Sequence, residues 1–104
     1  MMEAAQEALS FAQGRTRQDL NRDRMLSMAI TRCIEIIGEA AARISPETKT
    51  QHPEIPWAEI VGARNWLIHA YFDIDLDRVW DTIADDLPKL IAELKKIPLK
   101  NSKD

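Results

Sequence analysis

The segment Arg64-Asn65-Trp66-Leu67-Ile68-His69-Ala70-Tyr71 puts a guanidinium, a carboxamide, an imidazole and a phenol within about two helical turns. Around it, Trp57, Ile60, Val61, Arg64, Leu67, Ile68 and Tyr71 recur at three- and four-residue spacing, so Arg64 falls on the apolar stripe of a helix. A guanidinium keeps its proton in a protein, and burying it unpaired is expensive. Arg64 therefore needs a carboxylate, a ligand or an opening to solvent. An arginine and a histidine without a metal cluster suit phosphodiester cleavage in RNA. A histidine near neutrality can take the proton of the 2′-hydroxyl or give one to the leaving oxygen. The guanidinium can hold the phosphate and stabilise the charge that develops on it. RNA carries its own 2′-oxygen nucleophile, so the product is a 2′,3′-cyclic phosphate or its hydrolysed form. The structural alternative stays open: His69 sits where the dipole at a helix C-terminus favours an imidazolium.

Helical geometry sorts these groups. Asn65 and His69 are four residues apart and share a face, and Arg64 and Tyr71, seven apart, share another. Arg64 and His69 diverge by roughly 140° on a straight helix. One helix makes a poor site from that pair; two copies facing across a two-fold axis do better. Ala58, Gly62, Asn65 and His69 form a stripe with small residues at its N-terminal end, suited either to such a dimer or to close packing on the second helix. No metal is expected, because His52 and His69 are the only histidines and lie in different elements. No glycine-rich phosphate loop is present, and no cofactor is called for.

The elements that position this segment are helical. The chain has 104 residues, 45% hydrophobic and 30% charged, with three glycines and five prolines, and Leu, Ile and Ala outweigh Val and Thr. The fold expected is all-α, a compact bundle of four to five helices, as one domain over residues 1–97 with a polar tail over 98–104. A first helix covers Met1 to Gln13 and stops at Gly14. Thr16 and Asp19 resemble a capping box and open a long second helix to about Ile44. Its stripe is Leu26, Ile30, Cys33, Ile37, Ala40 and Ile44, widened by Ile34, Ile36 and Ala41. Ser45-Pro46-Glu47 starts a short helix. Pro56 begins the third, Trp57 to Tyr71, which Phe72-Asp73-Ile74 breaks. Asp75 caps a fourth, whose core stripe is Leu76, Val79, Trp80, Ile83, Leu87, Leu90, Ile91 and Leu94, and Pro88 should kink or split it.

Charge narrows the partners. A net charge of −3 argues against an indiscriminate nucleic-acid coat and against a helix-turn-helix DNA binder. Arg15, Arg17, Arg22 and Arg24 form either a local basic patch or a salt-bridged face beside Asp19 and Asp23. On the second helix Arg32, Glu35, Glu39 and Arg43 follow at helical steps, with both glutamates inside an apolar segment. They pair along the surface, or one of them is the carboxylate partner of Arg64. Cys33, the only cysteine, allows no internal disulfide and reads as a small buried thiol. No apolar run approaches the roughly 20 residues that span a bilayer, and no leader pattern is visible, so the expected setting is cytoplasmic with no membrane.

The Arg-x4-His-x-Tyr pattern of Arg64, His69 and Tyr71 resembles the motif of HEPN-domain toxins of the HepT type. Glu35-Ile36-Ile37-Gly38-Glu39-Ala40-Ala41, His52-Pro53-Glu54-Ile55-Pro56-Trp57, and Val79-Trp80 through Asp86-Leu87-Pro88 match as well, so the likeness covers nearly the whole chain. The resemblance implies a helical bundle that dimerises so that two motifs make one cleft. It implies metal-independent RNA cleavage with Arg64 and His69 as the catalytic pair, Asn65 as a polar neighbour, and Glu35 or Glu39 as the restraint on Arg64. It further implies a toxin–antitoxin pair with an MntA-like nucleotidyltransferase that adds AMP to Tyr71. On its residues alone Tyr71 reads as a core phenol. The rival from another class is a non-catalytic nucleotide-binding or adaptor domain that acts by complex formation with that nucleotidyltransferase. Trp66 departs from the basic or aliphatic residue common at its position and offers base stacking instead. The first helix looks short.

Overall fold

The computed structural model describes residues 1–69 and 74–96, with positions 68 and 69 described by backbone alone. Every regular element among the described residues is helical. Helix α1, Met2–Ala12, buries only alanines, Ala4, Ala5, Ala8 and Ala12, and so lies close against its neighbours. Gly14, at φ 75°, turns the chain out of it in a conformation that suits glycine.

The long second helix expected from Thr16 is broken in two. The capping half forms, since the backbone N–H of Thr16 donates to Asp19 Oδ2 at 2.7 Å. A single turn, α2 (Asp19–Arg22), follows and buries Leu20. At Asp23 the backbone becomes extended, and its carboxylate accepts from the N–H of Leu26 at 3.1 Å to cap α3 (Arg24–Ala42). Asp23 serves as an N-cap, which requires non-helical dihedrals, and the break follows from that. Arg15 pairs with Asp23 at 2.8 Å and Asp19 at 3.5 Å, and Arg17 with Asp77 at 2.6 Å. Two of the four clustered arginines are therefore tied into ion pairs.

Ser45 caps the short α4 (Pro46–Gln51), accepting from Thr48 N–H at 3.2 Å. Helix α5 spans Trp57–His69 and runs back along α3, placing Ile60 and Arg64 beside Gly38 and Leu67 in the cluster of Ile30 and Ile34. The indole N–H of Trp57 donates to the carbonyl of His52 at 3.0 Å and fixes the turn into it. Asp75 caps α6 (Leu76–Asp81) through the N–H groups of Asp77 and Arg78. A π segment, Thr82–Asp86, then leads without a break into α7 (Leu87–Leu94). Pro88 comes just after this wide turn, inside a continuous helix, where the loosened turn accommodates its ring and missing N–H. The wide turn takes the place of the expected kink.

The core has two parts. One joins Ala5, Ala8, Ile37, Ile60, Leu87 and Leu90, and the other Leu20, Ile30, Ile34, Leu67, Val79 and Ile83. Ile36, expected to widen the buried arc of α3, is instead 40% exposed. No described helix is long and apolar enough to cross a membrane.

Candidate functional site

The close approach of α3 and α5 makes the site. A β-carbon on Gly38 would overlap the Cβ of Arg64 and lie 3.1 Å from its Cγ and 3.0 Å from the carbonyl oxygen of Ile60. Only glycine leaves the arginine stem that room. The stem is thus clamped between helices, and Arg64 Nε is buried with no partner among the described residues. The head group runs outward, where Nη1 donates to Asn65 Oδ1 at 3.0 Å. An apolar stem buried and a charged head at the surface is how a long cation sits on a core stripe without an internal counter-ion.

Among the described residues, then, the Arg64 head group is met by an opening to solvent and by Asn65, and by no carboxylate. Glu35 Oε1 accepts from Arg32 Nη1 at 3.2 Å along the surface of α3. Glu39 is exposed. Neither glutamate is joined to Arg64 among the described residues. The physical reason is that Arg64 meets α3 at Gly38, between the two, with its stem; its head has already passed them.

Asn65 is exposed, and the backbone at His69 lies one turn further along the same face. Tyr71 lies outside the described residues, so the structure does not place its phenol. Ala58 is exposed, and nothing lies within 4 Å of where a Gly62 side chain would begin. The small stripe therefore does not pack on α3; Ile60, Ala63, Arg64 and Leu67 do that.

This open face is one wall of a groove of about 340 Å³ between α5 and the α6–π helix, lined by Ala58, Glu59, Gly62, Trp66, Arg78, Asp81 and Asp86 among others. The guanidinium carbon of Arg78 stands 4.4 Å from the centroid of the Trp66 ring, a cation–π stack. Burial, and then the charges of Glu59 and Asp85, push the Asp86 carboxyl above the usual carboxylate range. Sequence reasoning singled out Trp66 but not Arg78, which lies on another helix and carries no periodic signal. Gly38 was legible only as a small residue suited to close packing.

Among the described residues no group of three or more His, Cys, Asp or Glu side chains could hold a metal ion. Cys33 is buried in the core, and its thiol is pushed up by that burial, which keeps it protonated and inert. What the arrangement offers is a restrained cation at the surface, a carboxamide fixed to it, and an aromatic–guanidinium stack nearby.

Comparison with known proteins gives this arrangement a family. The model of the family "Ribonuclease HepT-like" matches residues 1–97. The chain is 38% identical over 100 residues to "Probable ribonuclease HepT" of Thermococcus cleftensis, covering 92% of this chain and 91% of that protein. It is 35% identical over 95 residues to "Putative RNase MJ1380" of Methanocaldococcus jannaschii, covering 91% and 87%. With "Putative RNase TTE0752" of Caldanaerobacter subterraneus subsp. tengcongensis it shares 39% identity over 80 residues, 77% and 71% of the two chains. No solved structure matches it. A match over 97 of its residues, with the Arg64 motif inside it, makes this chain a member of the HepT-like ribonuclease family.

Proposed function

We propose that the chain is an endoribonuclease that cuts RNA without a metal, using Arg64 and His69 at a cleft shared by two copies. The observation that carries this reading is the clamping of the Arg64 stem against Gly38, which leaves a guanidinium of fixed root presenting its donors at the surface. Such a group is pre-organised for a phosphate, and the cost of ordering it is met in folding. His69 as base takes the proton of the 2′-hydroxyl, the 2′-oxygen attacks phosphorus, and the P–O5′ bond breaks. The 5′-oxygen leaves with a proton from the partner copy's imidazolium, and a 2′,3′-cyclic phosphate remains. The divergence of positions 64 and 69 on one helix supports sharing the site across a two-fold axis.

The same reading makes residues 1–97 one toxin domain in the cytoplasm, paired with an MntA-like nucleotidyltransferase that silences it by adding AMP to Tyr71. An adenylyl group there would bring bulk and negative charge to the cleft. The test is His69→Ala: RNA cleavage in the presence of chelator and growth inhibition should both be lost with the thermal melt unchanged, and undiminished cleavage overturns the assignment. Co-expression with the nucleotidyltransferase should add the mass of AMP, mapped to Tyr71; addition elsewhere overturns the tyrosine switch.

A further inference from the structure

We propose that the groove between α5 and the α6–π helix is a nucleobase subsite, in which an unpaired base of the RNA stacks on Arg78 and guanine is favoured over uracil. This rests on the ribonuclease reading for the identity of the ligand. Arg78 lies 4.4 Å over the Trp66 ring. Among the described residues it has no carboxylate in ion-pair range, although Asp75, Asp77 and Asp81 are its near neighbours in sequence. A guanidinium set over an indole, on an exposed side chain, leaves its far side open to a ligand. Stacking on aromatic rings and arginine planes is how proteins hold splayed RNA bases. The groove, about 340 Å³, is of a size for a small planar ligand.

Position fits the same use. Trp66 follows Asn65 directly and precedes position 69 by three residues, about 4.5 Å of helix rise. Arg64 and Trp66 themselves diverge by about 160°, but Trp66 and position 69 share a face, so a strand whose phosphate lies between the Arg64 head group on Asn65 and position 69 has a neighbouring base within reach of Trp66. The rim sets orientation and preference together. Glu59, Asp81 and Asp86 repel phosphate, so the backbone runs on the Arg64–Asn65 side and the base points into the groove. Ionised carboxylates only accept hydrogen bonds. Guanine offers N1–H and N2–H on one edge, two donors for the two oxygens of one carboxylate. Uracil would turn carbonyl oxygens toward the same charges.

The experiment measures equilibrium binding of short 2′-O-methyl RNAs, which lack the free 2′-hydroxyl and are not cleaved. An all-uridine oligomer is compared with one carrying a single guanosine. The wild-type protein should bind the guanosine oligomer about tenfold more tightly, the low end of the scale of one bidentate base contact. Glu59→Gln, which loses the carboxylate, should bring that ratio close to one, and Arg78→Lys, which keeps the charge and loses the plane, should weaken both oligomers and narrow the ratio. Both positions are exposed, and circular dichroism controls for folding. Equal wild-type affinities, a ratio untouched by both variants, or variants that instead change the oligomeric mass each overturn the subsite. The two readings fail separately. Wild-type cleavage of native RNA with no base preference keeps the ribonuclease and removes the subsite. Guanosine preference without cleavage does the reverse.

Discussion

Gly38 and Arg64 meet across the α3–α5 contact with no room for a β-carbon between them, and the arginine's head group emerges beyond the contact onto Asn65. A residue with no side chain thereby sets where a charged one can go. Gly38→Ala gains helix propensity of about 1 kcal/mol but forces Arg64 or α5 to shift, and overpacking of this kind costs about 1–3 kcal/mol. The expected outcome is a modestly less stable protein whose turnover falls much further than its stability. Thermal melts beside single-turnover cleavage rates check it, and a rate that follows stability alone would leave Gly38 with a packing role only.

Arg64→Lys separates charge from shape. The ammonium keeps the charge but lacks the planar fork that can hold Asn65 and a phosphate together. If Arg64 stabilises the reacting phosphate, cleavage should fall by about 10²-fold, the scale of losing one positioned donor. Stability should change little, since the buried part of the stem is retained.

Burial raises the Asp86 carboxyl, so between its unfolded and folded pKa values the folded protein holds more protons than the unfolded chain. Stability from this group therefore falls as pH rises through that window, and above it the ionised carboxylate is a net cost. Asp86→Asn should melt at a higher temperature than wild type near neutral pH, with the gap closing below about pH 4, where the carboxyl is protonated in both states. Asp19 and Asp23 act in the opposite sense. The N–H groups of Thr16 and Leu26 are the first cause of their lowered values, with Arg15 adding to both. Their contributions are lost as pH falls, but equally in both proteins, so the difference between melts reports Asp86.

Leu90 is fully buried where α7 meets α1, whereas Ile36 is 40% exposed on α3. Leu90→Ala should cost about 2–5 kcal/mol. Ile36→Ala should stay within about 0.5 kcal/mol. Urea unfolding of the two variants checks the pair. A large loss at Ile36 would mean that its face is covered in solution.

Much of the scaffold was legible because short-range chemistry decides it. Gly14, Ser45, Pro56 and Asp75 punctuate the helices where their backbone and capping preferences place them, and Ile30, Ile37, Val79, Leu87 and Leu90 lie on the stripes that periodicity assigns. Asp23 escaped notice because its break interrupts no hydrophobic repeat: Leu20 and Leu26 are both buried on either side of it. The exposure of Ile36 and the separation of Glu35 and Glu39 from Arg64 were not legible for a different reason. Both depend on which neighbour lies against a given face, and periodicity within one helix carries no record of that. The stacking of Arg78 on Trp66 belongs to the same class, twelve residues apart in sequence and joined only by the fold.

The π segment is also a phase shifter. Val79 before it and Ile83 at its start face one half of the core, and Leu87, Leu90 and Ile91 after it face the other. One surplus residue per turn re-aims the helix between those targets without breaking it. Ala84, within the wide turn, is exposed, so a change of side chain there should pass unnoticed. Deleting it should be tolerated too, because the bond from the Leu87 N–H to the Thr82 carbonyl then spans four residues, the turn closes to α, and Leu90 stays in the interior. Loops elsewhere absorb a gained or lost residue; here a helix does so without breaking, within a single turn.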